Sequence, residues 1–409
     1  MCMSDAPLAS VPTLDTNDFL LLLQSFLHHR QGKHCLPHPV WLPEKEFACC
    51  TWQRYGGSPS NNDDAYKAFC AMFDVTLPLP RPHTPLEDIA ASAYECWKNQ
   101  QRTVTFCTSG STGKPKPCTH TEDLLRQEVA GVLPLLGSLP LRRSALVTVP
   151  LHHLYGFTFG LLLPKALGVP LRIEAPLPTA VAQQMLNSDL VIGIPMLWTH
   201  FSALRHLPQT EALLLSATAP LPDTTLEALC DKNFFCLEIF GSTETGALGY
   251  RLHGHSPFTL FSHFTRVTED KTHVIHRTLP DGSTCILPLQ DTHLWLDERR
   301  FVPQGRRDHA VQVGGVNVFP ERVARVLASH PDVYECAVRL MRPEEGQRLK
   351  AFVVPTAQAT HHLLQELRTL ARKRLCVEER PSIYTLGKEL PRNAMGKLTD
   401  WNVMQKCQE

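Results

Sequence analysis

The chain has no surplus of either charge: Lys and Arg number 40, and Asp and Glu number 40, among 409 residues. Nothing in that balance draws it to nucleic acid or to an anionic membrane, so an anionic ligand has to be held by charges placed locally. Long apolar runs are also missing. FLLLLQSFL (residues 19–27) is too short to span a bilayer and reads as a core or docking helix, which implies no stable membrane insertion. The sequence does not open with a basic start followed by an apolar stretch, the form of an export signal, so a cytoplasmic location is expected. The 14 cysteines lie scattered through apolar stretches without the regular spacing of a disulfide framework and read as reduced packing residues. There is no internal repeat and no low-complexity tract, and YGGSPSNNDD (residues 55–64) reads as a loop. His28, His29, His34, Cys35 and His38 lie close together, but no second Cys or His pair follows at zinc-site spacing, so a polar helix end and loop is the reading.

The best-known phosphate loop is absent as well. TFCTSGSTGKPKPCTH (Thr105–His120) is rich in glycine and hydroxyls, yet Gly110 and Gly113 stand too close together for the Gly-x-x-x-x-Gly-Lys pattern, and Pro115 follows Lys114. A loop of this composition leaving a strand can still turn backbone N–H groups and hydroxyls towards phosphate oxygens, with Lys114 or Lys116 adding charge.

What is present is a large hydrophobic complement, 43% of 409 residues, enough for two or three domains. RTVTFC reads as a strand and TEDLLRQEVAGVLPLLGSL as a helix, with Thr119 and Glu122 in capping-box spacing. ALVTVP, LVIGIP, ALLLSA and FFCLEIF then alternate with helical stretches, which predicts a mostly parallel sheet. Between Tyr250 and Arg306 the pattern changes to hairpins, with Asp281–Gly282 as a turn. Beyond GRRD follow a helix (PERVARVLASH), strands (CAVRLM, KAFVVP), a second helix (HHLLQELRTLARKRL), a terminal loop and a short helix. The fold class is therefore α/β: a large N-terminal domain with mostly parallel sheets and helices plus a β-rich subdomain, then a small α+β C-terminal domain. The boundary falls at Arg307–Asp308, giving domains 1–306 and 307–409.

Three further segments follow the glycine-rich stretch in order: FGSTETG (Phe240–Gly246), GRRDHAVQVGGVNVFPERV (Gly305–Val323) and LPRNAMGK (Leu390–Lys397). Together the four motifs resemble the adenylate-forming (AMP-binding) superfamily of acyl- and aryl-CoA synthetases, peptide-synthetase adenylation domains and luciferases, over roughly residues 100 to 400. The resemblance implies ATP-dependent activation of a carboxylic acid to acyl-AMP with release of pyrophosphate, then transfer to a thiol. That thiol is CoA, or the phosphopantetheine of a separate acyl carrier protein. A non-catalytic nucleotide-binding relative is the rival reading.

An anionic carboxylate has to meet an anionic α-phosphate, so positioning and well-placed cations carry the chemistry. By resemblance, Thr108, Ser109, Gly110, Ser111, Thr112, Gly113, Lys114 and Lys116 cradle the phosphates, and Glu244 holds Mg²⁺. Thr243 contacts the α-phosphate, Phe240 lies beside adenine with Gly241 and Ser242, and Ala217 and Thr218 of SATAPL stand in a turn between adenine and substrate. Asp291 accepts from the ribose hydroxyls, Arg306 approaches ribose and phosphate, His153 borders the acyl group, and Lys397 bridges carboxylate and phosphate as a movable point charge. The small domain is implied to be mobile, rotating about Asp308, with Gly314 and Gly315 lining the thiol's path.

The departures are specific. Only Asp291 survives of the family's Thr-Gly-Asp, Gln312 and Asp400 replace basic residues, and Ala217 and Thr218 replace glycines. The glycine-rich stretch also begins near residue 105, so the region ahead of it is expected to be shortened or compact. A small aryl or short acyl substrate with one carboxylate fits the bulkier turn.

Overall fold

The computed structural model describes residues 6–31, 44–52, 59–108, 116–137, 143–185, 189–208, 210–252, 257–267, 273–342, 344–392 and 398–402. The chain divides into two compact units. Met1–Cys107, Pro117–Leu289 and His293–Pro303 form the first; Thr108–Lys116, Gln290–Thr292 and Gln304–Glu409 form the second.

The first unit begins with helices α1 (Thr16–Gln31), α2 (Glu44–Ala48), α3 (Pro59–Met72) and α4 (Leu86–Lys98). The expected core helix is α1: Phe19, Leu22, Leu23 and Leu27 are fully buried, and Phe19 stacks on Phe73 at 4.1 Å between ring centroids. The stretch read as a loop is partly helical, because α3 starts at Pro59. Proline suits a first helical turn, and the apolar series Ala65, Phe69, Met72 that buries the helix begins only after the polar run has ended. Of the histidine cluster, His34, Cys35 and His38 lie outside the described residues.

Strands β1 (Thr103–Thr108) and β2 (Lys116–Thr121) pair with each other as a separate ribbon, where β1 was expected to open the main sheet. The facing hydroxyls of Thr105 and Thr119 are 2.9 Å apart, so Thr119 is a strand residue and not the cap of helix α5 (Glu122–Leu136). Thr121 caps α5, its hydroxyl accepting from Leu124 N at 3.3 Å. Glu122, far from closing a capping box, is buried and accepts from Leu14 N at 2.5 Å.

The strands that follow are β3 (Ser144–Val147), β4 (Leu171–Ile173), β5 (Asp189–Gly193), β6 (Leu213–Ser216), β7 (Phe235–Ser242), β8 (Gly246–Leu252) and β9 (Phe258–Leu260). Next come β10 (Phe264–Arg266), β11 (Val274–Thr278), β12 (Thr284–Pro288), β13 (Asp291–Trp295) and β14 (Arg300–Arg306). A nine-stranded sheet has the order β13-β14-β9-β8-β7-β6-β5-β3-β4. From β4 to β7 the neighbours are parallel, as expected; from β7 through β8 and β9 to β14 they are antiparallel. Helices α6 (Leu163–Leu167), α7 (Pro178–Gln184), α8 (Pro195–Ser202) and α9 (Asp223–Cys230) lie between the parallel strands. Leu213 and Leu215 face one core and Leu214 the other, so β6 is buried on both sides and reads as a continuous apolar run. Strands β10, β11 and β12 make a small antiparallel sheet, and Asp281 caps its turn by accepting from Ser283 N at 2.9 Å.

In the second unit, β15 (Val311–Val313) and β16 (Val316–Val318) form a hairpin whose two turn residues, Gly314 and Gly315, have φ of 58° and 82°. Only glycine occupies both positions without strain. Helix α10 (Pro320–Ala328) and strands β17 (Val333–Leu340) and β18 (Leu349–Pro355) precede helix α11 (Leu363–Arg374) and strand β19 (Ile383–Leu386). The parallel pairing of β19 with β18 places a strand where the sequence suggested only a loop. Where a short terminal helix was expected, the chain beyond Asn402 lies outside the described residues. Among the described residues no helix is long and apolar enough to cross a membrane.

Candidate active site

Strands β5, β6 and β7 run parallel and in register, with Gly193 beside Ser216 and Ser216 beside Glu238. Ligand crevices of open α/β sheets lie at such carboxyl ends. Tyr155 closes over two of them: its hydroxyl lies 2.8 Å from Gly193 O and 2.9 Å from Leu215 O, and burial pushes the phenol well above its ordinary pKa. It therefore stays a neutral donor. The segment is held tightly, since a Cβ on Gly156 would land on the Pro150 carbonyl. From Gly156 to Leu162 the chain forms a fully buried π-helical turn, a geometry that concentrates at functional sites. His153, exposed, lies 4.7 Å ring to ring from His152, which is fixed by Ser25 Oγ at 2.8 Å and stacked on Phe26.

After β6 the chain makes the SATAPL turn. Ala217 is buried, and Thr218 has φ of 79°, a conformation that costs a β-branched residue on the order of 1–3 kcal/mol. The glycine backbone expected here is thus kept although glycine is not. Thr218 Oγ1 is buried with no hydrogen-bond partner among the described residues. The far end of the turn is fixed by Glu238 of β7, which accepts from Leu221 N at 3.1 Å and pairs with Arg251 Nε at 2.7 Å. Burial pushes the Glu238 carboxyl up against the pull of Arg251.

Strand β7 delivers Phe240, half-buried among Phe258, Phe301 and His293 at centroid distances of 5.4, 5.5 and 5.5 Å. The turn from β7 to β8 closes on itself. Ser242 N donates to Thr245 Oγ1 at 3.2 Å, and Thr245 N donates to Ser242 Oγ at 3.2 Å. Gly241 has no room for a side chain, because a Cβ would meet the Gly246 carbonyl. Thr243 and Glu244 stand half-buried at the apex. From β2, buried His120 brings Nε2 to 2.7 Å from Thr243 O; with a carbonyl as partner, that nitrogen carries the proton.

In the second unit Arg306 grips Asp308 with both carboxylate oxygens, at 2.8 and 2.6 Å. Burial raises the Asp308 carboxyl, but Arg306 and the Ala310 N–H outweigh it and hold the group below its ordinary range. Asp291 is half-buried at the start of β13, and Lys116 is exposed at the start of β2. Ser109, Gly110, Ser111, Thr112, Gly113, Lys114 and Lys397 lie outside the described residues, as does the side chain of Thr108.

Within the first unit, then, the Ala217–Thr218 turn and the Phe240–Glu244 run leave adjacent parallel strands at the same end of the sheet. Tyr155 and His120 were missed by the sequence reading. His120 closes the glycine-rich stretch, but a lone histidine carries no pattern that reveals what its ring touches. The residues present fit a nucleotide and its metal: a half-buried carboxylate offers the hard oxygen ligand that Mg²⁺ prefers, and an unpartnered buried hydroxyl stands one strand away.

Residues 67–280 match the AMP-binding enzyme family, and residues 322–397 match the AMP-binding enzyme C-terminal domain. A 4-coumarate–CoA ligase of Halorhodospira halophila is 38% identical over 304 residues, 72% of this chain and 74% of the relative. A 4-coumarate–CoA ligase of Rhodobacter capsulatus is 37% identical over 308 residues, covering 75% and 77%. An amide bond synthetase from Marinactinospora thermotolerans shares the fold, with a TM-score of 0.63 at 16% identity and 92% of each chain covered.

Proposed function

Because the chain belongs to the AMP-binding enzyme family and is an acid–thiol ligase that activates a carboxylic acid with ATP and forms a CoA thioester, we propose that its acid is an arylpropenoate of the 4-coumarate class. The supporting observation is the identity of 37–38% to two 4-coumarate–CoA ligases over 72–75% of this chain and 74–77% of theirs.

The chain's residues answer the repulsion between carboxylate and triphosphate in separate ways. Phe240 offers a half-buried ring face to adenine, and Thr218 offers its unpartnered hydroxyl at the neighbouring strand end. Thr243 contacts the α-phosphate. Glu244 would hold Mg²⁺, which would supply positive charge against the charge of the triphosphate. The glycine-rich segment cradles the outer phosphates. Asp291 accepts from the ribose hydroxyls and Arg306 reaches ribose and phosphate. Lys397 steadies the carboxylate against the α-phosphate as the acyl-AMP forms. His153 borders the acyl group. Residues 307–409 act as the small mobile domain that carries Lys397, with Asp308 as its turning point.

The test is thioester formation from ATP, Mg²⁺, CoA and a panel of 4-coumarate, cinnamate, benzoate, 2-succinylbenzoate and acetate, read by product mass. Turnover per KM should be highest with 4-coumarate or cinnamate. A preference for acetate removes the substrate assignment; thioester formed only on an acyl carrier protein removes CoA; no adenylate with any acid favours a non-catalytic nucleotide-binding role.

A further inference from the structure

Arg277, on β11, is 1% exposed, and so is its ion-pair partner Glu128 on α5. The guanidinium spends its donors in four directions: Nε to Gln127 Oε1 at 3.1 Å, Nη2 to Leu124 O at 2.8 Å, and Nη1 to Glu128 Oε1 at 3.3 Å and to Thr245 O at 3.2 Å. Phe264 covers it at 5.4 Å. Thr245 is the residue after Glu244, so one arm of the cluster holds the apex turn by its backbone.

Glu128 holds the next position. Gly246 has φ of 74°, and a Cβ there would fall on Glu128 Oε1; the carboxylate occupies the space a side chain would need. Together with His120 on Thr243 O, the backbone is gripped on both sides of Glu244 by groups from β2, α5 and β11.

Stability alone does not account for burying this pair. Hydrophobic residues of like volume at buried ion pairs are commonly as stabilising or more so, by about 1–4 kcal/mol. What the charged pair adds is direction: the planar fork fixes the Thr245 carbonyl, and the carboxylate fixes the path of Gly246. We propose that Arg277 and Glu128 are positioning residues of the nucleotide site, setting the height and orientation of Thr243 and Glu244. The proposal rests on the reading of those two residues given above.

The test uses the full-length protein with Arg277→Met and Glu128→Leu combined, which keeps the core filled, and with Arg277→Lys, which keeps the charge and loses the fork. Calorimetric titration without any acid measures binding of ATP with Mg²⁺, and of AMP alone. The double variant should melt within a few degrees of the wild type. Its affinity for ATP with Mg²⁺ should fall about 10–100-fold, the usual cost of losing support behind a metal ligand. AMP, which carries the α-phosphate but needs no metal, should lose less affinity than ATP with Mg²⁺, and Arg277→Lys should recover only part of the loss. A folded double variant that binds ATP with Mg²⁺ as the wild type does overturns the proposal. So does a double variant that cannot fold, because the pair would then serve the core and not the site. If the wild type itself does not bind ATP, it is the functional reading that fails.

Discussion

His120 Nε2 lies 2.7 Å from the carbonyl oxygen of Thr243, joining the strand that follows the glycine-rich segment to the turn that carries Glu244. Two segments distant in sequence, each implied to handle phosphate, are thus tied by one hydrogen bond. His120→Ala should lower kcat for adenylation about tenfold, equivalent to 1.4 kcal/mol in the barrier, while the acid KM stays nearly constant. His120→Gln, which can still donate, should recover part of it. Steady-state pyrophosphate exchange checks this, and equal rates for Ala and wild type would show the bond to be incidental.

Thr218 keeps a backbone conformation with φ of 79° that glycine takes without cost. Thr218→Gly should therefore raise the free energy of unfolding, read by chemical denaturation, by about 1 kcal/mol, since relief of strain exceeds glycine's entropic penalty. The same change removes the unpartnered hydroxyl and opens the turn, so the KM for ATP or for the acid should rise. A variant more stable and kinetically unchanged would place this strain outside the site.

Asp400 replaces the basic residue of the resembling family, and the structure shows what it serves. Lys350, with 0% of its side chain exposed, places Nζ 2.6 Å from Glu345, 3.0 Å from Asp400 and 2.7 Å from Trp401 O. Asp400→Lys would set a like charge against a buried ammonium and should cost about 3–5 kcal/mol, read as a lower melting temperature. Replacing the cluster as a unit, Lys350→Met with Glu345→Gln and Asp400→Leu, should restore most of that loss. If Asp400→Lys melts with the wild type, the cluster contributes nothing to stability.

Much of the organisation was legible because it rests on local rules. The strands β3, β5, β6 and β7 of the parallel half of the sheet are short, largely buried apolar runs, and the Asp281–Gly282 turn follows from a backbone conformation that few residues adopt; β4, three half-buried residues, carries no such run. Two features escaped for one shared reason. The pairing of β1 with β2 and the grip of His120 on Thr243 depend on which strand lies next to which, and periodicity carries no information about neighbours. The polar start of α3 resembles a loop in composition, and its apolar spacing begins only at Ala65. For the site, resemblance supplied Phe240, Thr243 and Glu244, but not the residues that hold their backbone.

Stability near pH 5 should depend on Asp18. Burial pushes its carboxyl up to about 6 from an ordinary 3.8, against the attraction of Lys165. The folded state therefore keeps a proton that the unfolded chain releases. The stabilisation is complete below about pH 4 and is lost as the pH rises through 6. Asp18→Asn cannot titrate, so its melting temperature relative to wild type should climb between pH 4 and 6 and then level off. A difference that stays flat across that window would show that Asp18 ionises normally in the fold.

The central claim is that the β7–β8 turn presents Glu244 to a metal-bound triphosphate. Its most direct measurement is pyrophosphate exchange dependent on 4-coumarate, wild type against Glu244→Gln, followed over a range of Mg²⁺ concentrations. The account predicts a loss of about a hundredfold at low Mg²⁺ that is partly relieved as Mg²⁺ rises. Equal exchange by the two proteins at every Mg²⁺ concentration would contradict it.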